Sequence, residues 1–229
     1  MKNDHRKKTK ILLVDDHPIF RKGLIHLIND EEDMYVCGES EDVFSAVQEI
    51  KKNKPDMIIV DITLKDTSGL ELIKYISEHY RKLPILVISM HEETLYAERA
   101  IKAGALGYIM KQEMADNVGH AIRQVMSGNI YLSEKMNNKM LASVFTKKKT
   151  KKSEDSDIQD PSTFLTDREL EIFTLIGKGF KRKQISEKLN LNVNTVGTYR
   201  EKIKEKLNLE TSSEMTALAI QWVQGMKNN

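Results

Sequence analysis

Two short apolar runs end in carboxylates: Ile11-Leu12-Leu13-Val14 closes on Asp15-Asp16, and Met57-Ile58-Ile59-Val60 closes on Asp61. Two further strand-like runs, Val87-Ile88-Ser89 and Tyr108-Ile109-Met110-Lys111, end in a hydroxyl and an ammonium. A hard cation such as Mg²⁺ takes a few carboxylate oxygens and keeps water in its other positions. Asp15, Asp16 and Asp61 can supply those oxygens, and the backbone carbonyl of Thr63 lies close enough in sequence to join them. Phosphoryl transfer is catalysed by positioning and charge stabilisation, so Lys111 and Ser89 are the helpers such a site needs. Taken singly, each residue is ordinary: an Asp after a strand commonly caps a helix, and a lysine commonly faces water. At four strand ends together they describe a pocket that holds Mg²⁺ and accepts a phosphoryl group on aspartate. A chain built around it is expected to be a signalling switch and not a metabolic enzyme.

The runs that carry these residues are short and rich in Ile and Val, the pattern of strands buried on both faces. Tyr35–Gly38 is a weaker strand candidate. Amphipathic stretches of helical length lie between them, at Phe20–Ile28, Val43–Lys52, Leu70–Tyr80, Thr94–Ala103 and Ala115–Met126. Leu24, Leu27 and Ile28 share a helical face, as do Val43, Val47 and Ile50. Such alternation predicts a parallel sheet with right-handed crossovers and helices on both faces. Ligands of these sheets sit beyond the carboxyl ends of the strands, where Asp15, Asp16, Asp61, Ser89 and Lys111 fall.

Ile130 to Phe145 is predicted to continue as a helix. From Thr146 to Ser162 the chain is almost free of hydrophobes, with Lys147–Lys149, Lys151 and Lys152 followed by Glu154, Asp155 and Asp157. That composition cannot bury a core and reads as a flexible tether, although its lysines could also touch DNA phosphates. Beyond it, Thr166 and Glu169 form a capping box for a helix carrying Ile172, Phe173, Leu175 and Ile176. A second helix spans Arg182–Leu189. A third begins at about Val193 behind an Asn192 cap, with Val196, Ile203 and Leu207 as core, and a fourth runs from about Ser213 to Val223. These helices predict a small all-α domain with a helix-turn-helix at its centre. The expected boundaries are 8–128 for the α/β domain, 129–162 for the linker and 163–227 for the helical domain.

The 229 residues allow one or two domains. Net charge is +2, unevenly spread: residues 1–130 hold 18 Lys+Arg against 21 Asp+Glu, and residues 163–229 hold 11 against 8. An acidic first part and a basic last part point to different partners for the two ends. Cys37 is the one cysteine, which precludes an internal disulfide and fits a reducing compartment; its apolar setting reads as a buried small hydrophobe. No stretch approaches the ~20 apolar residues of a membrane span, and the basic start does not resemble a signal peptide. The expectation is a soluble, cytoplasmic protein without a membrane partner.

Lys10 to about Met126 resembles the receiver domain of two-component signalling. The motifs are Ile-Leu-Leu-Val-Asp-Asp-His-Pro (11–18), Ile-Ile-Val-Asp-Ile (58–62), Ser-Gly-Leu-Glu (68–71), Ile-Ser-Met (88–90) and Gly-Ala-Leu-Gly-Tyr-Ile-Met-Lys (104–111). The resemblance implies a flavodoxin-like fold with strand order 2-1-3-4-5. It makes Asp61 the phospho-acceptor, Asp15 and Asp16 metal carboxylates, and Ser89, Tyr108 and Lys111 the switch and phosphate-binding residues. The sequence departs from the family at Thr63-Leu64-Lys65-Asp66, where many receivers have Met-Pro, and at Gln112, where many have proline. His91, two residues past Ser89, either influences water attack on the acyl phosphate or is an ordinary loop histidine.

Leu165 to about Val223 resembles the LuxR-type helix-turn-helix, through Leu-Thr-Asp-Arg-Glu-Leu-Glu (165–171), Gly-Lys-Gly-Phe (177–180), Gln-Ile-Ser-Glu-Lys-Leu (184–189), Asn-Thr-Val (194–196) and Ile-Lys-Glu-Lys-Leu (203–207). The whole chain is thereby similar to NarL/FixJ-type response regulators. In such motifs the N-terminal residues of the recognition helix read base edges. Candidates for the groove and its walls are Lys183, Asn194, Thr195, Gly197, Thr198, Tyr199, Arg200, Lys202 and Lys206. The family commonly has Lys and His where this chain has Gly197 and Tyr199, and the missing lysine is a favoured guanine partner. Gly197 costs the helix roughly 1 kcal/mol relative to alanine. It either lets the helix backbone approach DNA or is a tolerated surface glycine.

The resemblance implies a transcription factor controlled by a partner histidine kinase. Phosphorylation of Asp61 would draw Ser89 and Lys111 inward, promote a homodimer and favour binding to double-stranded promoter DNA. Leu218, Ile220, Trp222 and Val223 of the last helix are candidates for the DNA-bound dimer contact, with Trp222 equally readable as core. Two alternatives remain at this level: a phosphoryl-relay or protein-docking regulator that does not act on DNA, and a DNA binder independent of phosphorylation.

Overall fold

The structure, a computed structural model, describes residues 7–64, 68–90, 93–138, 140, 161–189 and 191–227. It divides into two compact units, Met1–Thr150 and Lys151–Asn229. The first is a parallel sheet of β1 (Thr9–Val14), β2 (Met34–Ser40), β3 (Met57–Val60), β4 (Ile85–Ser89) and β5 (Gly107–Met110) in the order β2-β1-β3-β4-β5. Its helices are α1 (Pro18–Asn29), α2 (Val43–Asn53), α3 (Gly69–His79), α4 (Glu93–Ala103) and α5 (Met114–Met126). Among the described residues no helix is long and apolar enough to cross a membrane.

Successive strand side chains point to opposite faces, so this sheet builds two cores. Leu12, Val14, Ile58, Val60, Ile85 and Val87 face α2, α3 and α4, where Ala46, Ile50, Leu72, Ile73, Ile76, Ala97 and Ala100 meet them. Ile11, Leu13, Met57, Ile59, Leu86, Ile88 and Ile109 face α1 and α5, against Leu24, Ile28, Val118, Ala121, Ile122 and Val125. Each such large aliphatic side chain contributes about 1.5–3 kcal/mol on burial. Both faces being covered is why the strands read as unbroken apolar runs. The register Val14↔Val60 and Val60↔Val87 brings the ends of β1, β3 and β4 level, and with them the residues that follow.

Two expectations are corrected here. The weak strand β2 is longer than predicted because it is an edge strand with a bulge: Ile11 pairs with Val36 and Leu12 with Gly38, so Cys37 is skipped. Cys37 is accordingly half-buried at the edge and not a core residue. The segment after α5 does not begin as a helix at Ile130. Tyr131 makes a parallel bridge to Gly107 on the outer edge of β5, and Leu132 and Met136 are buried in the core shared with α4. Helix is present at 134–138 and at Met140, within the expected Ile130–Phe145, whose residues 141–145 lie outside the described residues; the stretch expected as linker from residue 129 starts packed on this unit. The predicted tether 146–162 lies outside the described residues up to 160, as does His91.

In the second unit a short turn of helix, Pro161–Phe164, precedes α6 (Asp167–Gly177), α7 (Arg182–Lys188), α8 (Val193–Lys206) and α9 (Ser212–Lys227). The capping box forms as predicted: Thr166 Oγ1 accepts from Glu169 N, and Glu169 Oε2 accepts from Thr166 N at 2.8 Å. Asn192 caps α8 through the Asn194 N–H. Leu170, Phe173, Ile185, Val196, Ile203, Met215 and Ala219 form the core. Trp222 packs against it, its ring 5.7 Å from that of Phe173, while Ile220 is exposed.

Candidate functional site: an acidic pocket and a recognition helix

Asp15 and Asp61 are buried at the carboxyl ends of β1 and β3, and Asp16 stands half-buried beside them. Asp61 is set by the backbone of its loop. Gly69 N donates to Ile62 O at 2.7 Å, Thr63 pairs with Ser68, and a Cβ at Gly69 would fall 1.9 Å from the Asp61 carbonyl. Only glycine fits that approach. Lys111, on the 3₁₀ turn after β5, sends its ammonium to Asp15 Oδ2 at 2.6 Å and Asp61 Oδ2 at 2.7 Å. Burial opposes its charge, but Asp61 and then Asp15 outweigh that effect and hold its pKa above the usual lysine value.

Asp15, Asp16, His17 and Asp61 each offer a ligand atom within 4.8 Å of the others. Burial, with the charge of Asp15 adding to it, raises the Asp16 carboxyl above its ordinary range, and His17 only partly offsets this. Lys111 is committed to the other two carboxylates, so a pocket of three acids carries more negative charge than its one ammonium balances. That donor set, all hard oxygens apart from His17, fits Mg²⁺. The Thr63 N–H donates to Asp61 Oδ1 at 3.3 Å, which holds the residue against the pocket.

Ser89 closes β4 fully buried, and Tyr108 is buried one strand over. Burial pushes the Tyr108 phenol far above its ordinary pKa, against a hydrogen bond with Ser89. The outer edge of β5 is also occupied: Tyr108 N donates to Tyr131 O at 2.8 Å, and Tyr131 N to Leu106 O at 2.9 Å. Glu93, the first residue of α4, accepts from both Ser133 N and Ser133 Oγ. The predicted pocket residues thus come together. Missed in the sequence were His17, with Nδ1 2.7 Å from Asp16 Oδ1, Phe20, whose ring lies 4.1 Å from the Lys111 ammonium, and the Glu93–Ser133 link. His17 follows the Asp pair directly and could have been found; the others depend on packing.

In the second unit α8 buries Val196 and Ile203 and exposes Val193, Asn194, Thr195 and Thr198. Lys183 on α7 and Lys202 on α8 are exposed as well. Arg200 is half-buried, and its pKa is lowered first by burial and then by the charge of Arg182. Two predicted DNA-facing residues are used inside the domain. Tyr199 packs against the core, because it lies three residues beyond buried Val196 on the same face, with the Lys202 ammonium 5.9 Å from its ring. Lys206 donates to Glu169 Oε2 at 2.7 Å, closing α8 onto the capping box of α6. Gly197 is not open to a backbone neighbour, for the Arg182 guanidinium lies over it.

Comparison with known proteins agrees with both halves. Residues 11–123 match the response regulator receiver domain, and residues 163–219 match the luxR family of bacterial regulatory proteins. The chain is 34% identical over 213 residues to the oxygen regulatory protein NreC of Staphylococcus epidermidis, covering 93% of this chain and 97% of that one. It is 33% identical over 211 residues to the response regulator UvrY of Escherichia coli, covering 92% and 93%. Among solved structures, a LuxR-family two-component response regulator from Aurantimonas sp. aligns over 60% of this chain and 99% of its own, with 29% identity and a TM-score of 0.56. RcsB of Salmonella enterica serovar Typhimurium, bound to a promoter in the presence of the phosphomimetic BeF₃⁻, shares the fold over 92% of this chain and 97% of its own, with a TM-score of 0.54 at 23% identity. Receiver pocket, helix-turn-helix and relatives matched nearly end to end have one reading: the chain belongs to the NarL/FixJ-type response regulators, transcription regulators in which a receiver domain precedes a LuxR-type DNA-binding domain.

Proposed function

We propose that Asp61 is the phospho-acceptor of this regulator, that a histidine kinase is its donor, and that the phosphorylated chain dimerises and binds promoter DNA through α8. The observation that carries this reading is the buried Lys111 ammonium bridging Asp15 and Asp61 at 2.6 and 2.7 Å. A carboxylate oxygen of Asp61 attacks phosphorus, the P–N bond of the phosphohistidine breaks, and the imidazole leaves with its electron pair. Asp15, Asp16, Asp61 and the Thr63 carbonyl would hold Mg²⁺, which when bound neutralises charge on the carboxylates and the incoming phosphoryl oxygens. Lys111 is already placed to exchange its bond to Asp61 for one to a phosphoryl oxygen.

Ser89 reaches the new phosphoryl group by giving up its hydrogen bond with Tyr108. Tyr108 then repacks, and its backbone pairs directly with Tyr131. The segment 131–136 is further tied to α4 through Glu93 and Ser133, which gives the local charge event a packed element to bias. A dimer grips half-sites about one DNA turn apart. The single cysteine and a DNA target are consistent with a cytoplasmic setting.

The test is intact mass with and without Mg²⁺ and a small acyl phosphate, with Asp61→Asn alongside. One added phosphoryl group, dependent on Mg²⁺ and absent in the variant, is the expected result. A Mg²⁺-dependent adduct retained by Asp61→Asn would assign the acceptor elsewhere.

A further inference from the structure

Gly197 lies in the second turn of α8, on a side that the core does not cover. A Cβ there would stand 2.2 Å from Arg182 Nη2 and 2.6 Å from Arg182 Cζ. Arg182 is the first residue of α7, yet its guanidinium is held on α8. Its Nε donates to Val193 O at 2.7 Å, and its Nη2 reaches Asn194 Oδ1 at 3.5 Å. Val193, Asn194 and Gly197, spaced i, i+1 and i+4, flank one side of the helix, and Arg182, Val193 and Asn194 are exposed. Burial and then the charge of Arg182 lower the pKa of nearby Arg200. A guanidinium has five N–H donors in a planar fork, and the two bonds to α8 leave most of them facing solvent.

We infer that Arg182 reads a guanine in the major groove, delivered across Gly197 onto the surface of the recognition helix. The target follows from chemistry: a planar fork of parallel donors matches the O6 and N7 acceptors of guanine, and N-terminal residues of a recognition helix are those that reach base edges. Gly197 does not invite DNA backbone; it makes room for a side chain supplied by the neighbouring helix. The bond to Val193 O fixes the guanidinium before DNA arrives. This inference rests on the reading of α8 as the groove-bound helix.

The experiment selects from a random-sequence duplex library with the full chain, treated with Mg²⁺ and a small acyl phosphate. Wild type is compared with Arg182→Ala, Arg182→Lys, Gly197→Ala and Arg182→Ala/Gly197→Ala. Wild type is expected to enrich a guanine at one position of each half-site. Arg182→Ala should lower that preference roughly ten- to hundredfold and leave other positions intact. Gly197→Ala should lose the same position, because its methyl displaces the guanidinium, and the double variant should be no worse than Arg182→Ala alone. Arg182→Lys, which keeps the charge without the fork, should keep the salt dependence and lose most of the preference. Affinity falling equally for all sequences in Arg182→Ala, with the preference unchanged, would make Arg182 a phosphate contact and overturn the inference. Full preference in Arg182→Lys, or different positions lost in Arg182→Ala and Gly197→Ala, would overturn it as well. No enrichment by wild type would remove both the inference and the reading of α8 beneath it.

Discussion

Lys111 sits between two aspartates that repel one another, with the ring of Phe20 beside its ammonium. Removing one member of a buried ion pair strands the others, at a cost of about 3–5 kcal/mol. Lys111→Met is therefore expected to destabilise the receiver by that order, read from its urea midpoint. Added Mg²⁺ should restore part of the loss, since it supplies the missing positive charge; a variant as stable as wild type without Mg²⁺ would contradict the bridging role. At this scale the sequence was informative where residue type and strand end coincide. A carboxylate directly after an apolar run in a parallel sheet can hardly avoid the carboxyl edge, so Asp15, Asp16 and Asp61 were legible. Phe20 was not, because within an amphipathic helix it looks like any core aromatic, and its place over Lys111 depends on how α1 rotates against the sheet. Arg182 was missed because only the turn between α7 and α8 brings it to Gly197.

Elements position these residues through close contacts that tolerate little change. Gly69 begins α3 with no room for a Cβ against the Asp61 carbonyl. Gly69→Ala is expected to cost more than about 1 kcal/mol of receiver stability and to slow acceptance of a phosphoryl group, measured by unfolding and by rate of mass gain. Unchanged stability would mean that the loop has slack. In the output domain, burial works against the charge of Glu169, but the Lys206 ammonium and the Thr166 N–H outweigh it and hold the carboxyl below its ordinary value of 4.5. A depressed folded pKa gives stability that is present above the unfolded value and lost as pH falls through the folded one. The domain should therefore lose stability below about pH 4.5, and Glu169→Gln should flatten that slope in urea titrations at a series of pH values. An identical slope in the variant would remove Glu169 as its source. The helices and central strands were legible because their apolar periods match their final faces. β2 was legible only over Tyr35–Gly38, because an edge strand with a bulge has no clean period, and the pairing of Tyr131 with β5 had no sequence signal at all.

At the scale of the whole molecule, the two units have separate cores, so the proposed phosphorylation at Asp61 requires that a change in the receiver be passed on to the helical domain. The packed contacts of Tyr131 and Ser133 with β5 and α4 place the segment that follows α5 beside Tyr108, the residue proposed as the switch aromatic. The domain order is legible because composition changes sharply at the charged stretch after residue 146, whereas the packing of Leu132 and Met136 beyond α5 has no compositional signal. The most direct measurement is the affinity of the full chain for its best library-selected duplex, before and after treatment with Mg²⁺ and a small acyl phosphate, for wild type and Asp61→Asn. A gain on treatment of wild type that is absent in Asp61→Asn is the predicted result. Equal affinity in all four conditions would contradict control of DNA binding by phosphorylation of Asp61.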